Sequence, residues 1–189
     1  MPRRSLSADL KAAISALPQK EKDKLLFRLI PKDEVLTEQM VFRLLEHSQT
    51  TEDRRYAVAR EMHEAYDAFA DFRFSPGYLK QTMRTLSGRI NRHVKVTRDK
   101  YGEIELNLLL LNGALGQFRE SLSGFTERRT FKLYTYIVRR TQKIHTLLGK
   151  MHEDYRLDFE DDLRQLEAHL LELPDLTKMA NRYGLSLEE

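Results

Sequence analysis

Arg128, Arg129, Lys132, Arg139, Arg140, Lys143 and Lys150 form the clearest chemical pattern in the chain. On a helix at about 100° per residue they fall within an arc of about 120°. Phe131, Leu133, Tyr134, Ile137, Val138, Ile144, Leu148 and Met151 fall on the other side. Tyr136 sits among the cations. Ammonium and guanidinium groups in a row neutralise phosphates and release their counterions, and a tyrosine between them can stack on an unpaired base. Lys80, Arg84 and Arg92, with Lys95 and Arg98, enlarge the patch if their helix lies beside this one. The competing reading is an ordinary solvated face. A third possibility is neutralisation by the acidic stretch that follows, which holds Asp158, Glu160, Asp161, Asp162 and Glu167.

A second spacing invites metal chemistry. Glu61-x-x-Glu64-x-x-Asp67 puts three carboxylates on one helical face. It is similar to one half of the acidic arrangement with which all-α nucleotide pyrophosphatases hold magnesium, where clustered carboxylates carry the metal that a triphosphate requires. The other half is missing: between Asp71 and Glu120 the acids are Asp99, Glu103 and Glu105, and none pairs at that spacing. Six histidines are scattered without a His-Glu-x-x-His pair, and His145 falls on the apolar side of its helix. No glycine-rich phosphate loop and no nucleophile elbow is present. No catalytic residue, metal ligand or cofactor is therefore expected.

Composition narrows the class. Apolar residues make up 41% and charged residues 32%, which fits neither a membrane protein nor a disordered chain. The longest apolar run, Leu108 to Leu111, stops at Asn112, far short of the roughly 20 residues a membrane span needs. The opening Met-Pro-Arg-Arg leads into a polar stretch with Asp9 and Lys11 rather than a signal-peptide core, and there is no cysteine, so a cytoplasmic location is expected. Charge is unevenly placed. Residues 73–100 hold eight basic residues against one acid, net +7, and residues 124–150 hold seven against one, net +6. Residues 151–175 reverse this with two against nine, net −7.

The elements that must position these groups are all helical in pattern. Short helices punctuated by Pro18 and Pro31 occupy the first 48 residues. A longer helix follows from Thr50 to about Phe72, with Ala59, Met62, Tyr66 and Phe69 inward. Ser75-Pro76 opens the next, striped by Leu79, Met83, Leu86, Ile90 and Val94. The helix over 102–123 has an apolar face widened by Leu109 and Leu110 and should be the most buried. Thr126 opens the basic helix, and the acidic segment gives an eighth that runs to Pro174. Residues 93–106 also alternate with period two around Asp99 to Gly102, as a hairpin would; the helix reading is preferred because the three-four stripe crosses both flanks. Met179-Ala180-x-x-Tyr183-Gly184-Leu185 resembles the opening of a helix-turn-helix, but the preferred reading is a terminal helix closed by glycine.

The expected fold is all-α, an irregular multi-helix bundle of about eight or nine helices. Residues 1–48 would be a short-helix appendage and 50–189 the main bundle, or the two would form one continuous domain. The leading functional expectation is a non-enzymatic interaction or adaptor module with a protein partner or self-association. The alternative is binding of nucleic acid or another polyanion by Arg128, Arg129, Lys132, Tyr136, Arg139, Arg140, Lys143, Lys80, Arg84 and Arg92. A second alternative is a metal-dependent nucleotide hydrolase using Glu61, Glu64 and Asp67. No membrane partner is expected.

Overall fold

The computed structural model describes residues 5–71 and 74–185. The amino-terminal Met-Pro-Arg-Arg, the Arg73 counted in the first basic segment, and Ser186 to Glu189 lie outside the described residues. The fold is all-α: among the described residues there are ten α-helices, nine of seven residues or more, and no strand. By contact the chain divides into two units, Met1–Ser48 and Gln49–Glu189.

The first unit holds α1 (Ala8–Ala16), α2 (Gln19–Leu29) and α3 (Glu34–Leu44), with a 3-10 turn at Ile30–Lys32. Ser7 caps α1 through Leu10 N–H, and Asp33 caps α3 through Leu36 N–H. The Thr37 hydroxyl donates to the Ile30 carbonyl at 2.9 Å and ties the turn to α3. Phe42 is the one buried residue of these three helices, so they hold almost no core of their own.

The second unit is α4 (Thr51–Asp67), α5 (Pro76–Thr97), α6 (Lys100–Ser123), α7 (Glu127–Leu148), α8 (Glu153–Leu157), α9 (Glu160–Leu171) and α10 (Pro174–Arg182). α6 is the central helix, with Ile104, Leu108, Leu111, Leu115 and Leu122 buried as the sequence pattern predicts, and Leu106 and Leu110 buried on another side. Helices α4, α5, α7 and α9 pack around it. A helix apolar on several sides must be enclosed, because each side needs a partner to escape water. Residues 93–106 are helix, turn, helix rather than hairpin. The turn is made by Arg98, in the left-handed region at φ 64°, and by Asp99, whose carboxylate accepts from Gly102 N–H at 2.8 Å and caps α6.

Two boundaries differ from the sequence pattern. α4 ends at Asp67, and a 3-10 turn carries the chain to Asp71. The acidic segment breaks into α8 and α9 at Phe159, whose ring is buried and lies 4.7 Å from that of Tyr101. α9 packs chiefly on α6 and α10, not along the basic helix. At the carboxyl end, Gly184 takes φ 72°, and Leu185 N–H closes back on the Ala180 carbonyl.

Candidate nucleic-acid interface

α5 and α7 pack side by side, and that contact decides where the cations go. Apolar positions at three-four spacing bury Leu79, Met83, Leu86 and Ile90 of α5 and Leu133, Ile137, Ile144 and Leu148 of α7. The polar sides of both helices are thereby turned outward together. They enclose a groove of about 480 Å³ lined by Lys80 and Arg84 of α5 and by Phe131, Lys132, Thr135, Tyr136, Arg139, Arg140 and Lys143 of α7. Six cations line it, and no carboxylate does.

The cations are held in two ways. Arg140 Nη1 donates to Asn107 Oδ1 at 2.6 Å, and its guanidinium lies 5.5 Å from the Tyr136 ring centre. Asn107 is fully buried in α6, so Arg140 is anchored from the core. Lys143 pairs with Glu103 of α6 at 2.6 Å. Among the described residues Lys80, Arg84, Lys132 and Arg139 have no acidic partner; Arg139 lies 5.9 Å from the Tyr183 ring centre. Like charges crowded on one recess repel each other, and only an anion or water can relieve that.

The groove gathers seven of the ten residues singled out from the sequence. Arg128, Arg129 and Arg92 do not line it. Arg128 and Arg129 lie exposed at the first turn of α7, Arg129 with its guanidinium 5.8 Å from the Phe125 ring centre. Arg92 is half-buried two turns beyond Arg84 on α5. Tyr136 is in the groove but is not a free stacking platform. Its hydroxyl is hydrogen-bonded to Ser87 and donates to the Met83 carbonyl at 3.2 Å, while Arg140 covers its ring.

Phe131 was expected inward and is instead 43% exposed among the cations. On the helical wheel it stands at the edge of the apolar arc, and Thr130 and Thr141 fill the buried side in its place. Both threonines reach the interior by donating to carbonyls on their own helix. His145, also expected on the apolar side, is exposed.

The acidic segment does not cover this surface. Glu160 and Asp161 pair with Arg164 on α9 itself, and Glu172 pairs with Arg119 of α6. Glu61 is paired with Arg89 at 2.8 Å, and Glu64 with Arg60. Among the described residues no three acids, histidines or cysteines gather where a metal ion could be held.

A polar trio of Arg55, His93 and Asp99, with Glu105 at its edge, was not visible in the sequence, because Arg55 stands 44 residues from Asp99 and 50 from Glu105. Arg55 Nε donates to Asp99 Oδ2 at 3.0 Å and Arg55 Nη1 to Glu105 at 2.8 Å, while His93 Nε2 meets the same Asp99 oxygen at 3.1 Å. Burial alone would raise the Asp99 carboxyl, but His93, Gly102 N–H and Arg55 together hold it below the ordinary carboxylate value. Every member has a partner, and the trio ties α4 to the α5–α6 turn. A second groove, between α4, α6 and α9, mixes Arg55 with Glu52, Glu105 and Asp162 and has no excess of cations.

Among the described residues no helix is long and apolar enough to cross a membrane. No family model, no curated protein and no solved structure matches the chain.

Proposed function

We propose that this protein binds a phosphate-bearing polyanion, nucleic acid foremost, through the groove between α5 and α7. The observation that carries this reading is that Lys80 and Arg84 of one helix and Lys132, Arg139, Arg140 and Lys143 of another line a single recess without a carboxylate among them. Cations that converge from separate elements are worth more than a charged stripe on one helix, because they can meet several phosphates at once. A cytoplasmic location would place it among such partners. The test is fluorescence anisotropy with a labelled oligonucleotide, titrated with salt from about 50 to about 200 mM. With four unpaired cations engaged, the slope of log affinity against log salt should be about −3. Lys132→Glu with Arg139→Glu, both exposed, should weaken binding at least tenfold and flatten the slope. An absence of binding at low salt, or binding indifferent to salt, removes the proposal.

The adaptor reading is favoured by a different observation, and it concerns the first unit alone. Phe27 is 74% exposed and Leu45 is 74% exposed, with Leu26, Leu29 and Leu44 also open to water. Apolar surface of this kind gains free energy when a protein surface covers it. Sedimentation velocity of the full chain across a wide concentration range should show self-association that Phe27→Glu and Leu45→Glu abolish. A single monomeric species at every concentration would remove the self-association form of this reading.

A further inference from the structure

We infer that the ligand of the α5–α7 groove is single-stranded nucleic acid, gripped by its backbone with an unpaired base laid on Phe131. The inference rests on the polyanion reading and narrows it.

Three features of the groove select a single strand. The first is its shape. The recess holds about 480 Å³ between two packed helices. That is the volume of a small-molecule pocket, which admits a phosphate and one or two unpaired bases. The phosphates of a duplex ride on the outside of a convex cylinder, so a duplex would rest on the rim and reach few of the cations.

The second is length. From Lys132 to Lys143 the α7 wall runs about 16 Å. A stacked strand advances about 3.4 Å along its axis per nucleotide, so about five nucleotides span the wall. A compact polyphosphate would leave one end of the row unmet.

The third is the aromatic ring. Phe131 is 43% exposed in a recess whose other walls are six cations, Thr135 and Tyr136, and it has no polar atom that water could satisfy. Phosphate offers it nothing. A base offers a flat apolar face, and every base has one, so the contact is tolerant of sequence. Tyr136 is held down by Ser87, Met83 and Arg140, so Phe131 is the ring on the α7 wall that is open to a ligand.

The experiment measures three probes on the full chain: labelled oligo-dT of about 16 nucleotides, the same strand paired with oligo-dA, and heparin as a polyanion without bases. Oligo-dT should bind about tenfold or more tighter than the duplex. Phe131→Ala should weaken oligo-dT about tenfold, the scale of one lost base stack. It should leave heparin binding unchanged, and Phe131→Trp should restore the oligo-dT affinity. Because the ring is exposed, the variant should melt with the wild type, and circular dichroism checks this. Equal affinity for strand and duplex, or a Phe131→Ala protein that binds oligo-dT as the wild type does, overturns the inference while the polyanion reading stands. If none of the three probes binds at low salt, the polyanion reading fails and this one with it.

Discussion

Gly102 stands one turn into α6, directly against the Asp99 carboxylate that caps the helix. A β-carbon at this position would lie inside that carboxylate and 2.7 Å from Arg55 Nε. Neither neighbour can give way cheaply, because Asp99 is fixed by His93, Arg55 and Gly102 N–H at once. Alanine normally favours a helix over glycine by about 1 kcal/mol. Here Gly102→Ala should instead destabilise the protein by about 1–3 kcal/mol, as overpacking does. Denaturant melts would show it, and a melt equal to or above the wild type would mean that the trio adapts. At the same scale, the sequence identified the basic residues but not their restraints. Arg140 and Lys143 read as free cations, and only the fold reveals that Asn107 and Glu103 of α6 hold them. Periodicity reports which side of a helix faces inward, not which neighbour stands opposite.

Helix α9 is set on α6 through Leu166 and Leu170, and His169 lies between the two helices, its ring nitrogens buried without a hydrogen-bond partner among the described residues. Its edge comes within 3.5 Å of where a β-carbon on Gly116 would sit. Burial pushes the His169 pKa down; Glu172 opposes this, and Arg119 adds to it. With a folded pKa below the ordinary histidine value near 6.5, the unfolded chain takes up the proton first as pH falls. Stability is therefore complete above about pH 6.5 and is lost as pH falls from there toward the folded pKa. His169→Leu, which removes both unpaired nitrogens, should be neutral or stabilising at pH 7. Its advantage in Tm over the wild type should then widen as pH falls to 5. Parallel curves across that range would show that His169 is not the group responsible. The helices were themselves largely readable, because three-four stripes on α5, α6 and α7 are long. The break between α8 and α9 was not, since the burial of Phe159 against Tyr101 depends on a residue 58 positions away.

At the largest scale, the arrangement of the second unit follows from α6. Its apolar breadth requires neighbours on several sides, and four helices supply them. The residue pattern does not say which neighbour takes which side, so the meeting of the two basic segments on α5 and α7 is a condition that only the fold meets. The acidic segment had been free, on sequence grounds, to lie along α7; it packs on α6 and α10 instead. The consequence belongs to encounter rather than to the bound state. Most of the net +6 of residues 124–150 falls on α7 and most acids of residues 151–175 fall on α8 and α9, so the second unit carries its positive and negative charge in separate patches. If the α5–α7 groove takes a polyanion, as proposed, the cationic patch draws it in before contact. Diluting salt should thus quicken capture more than it slows escape.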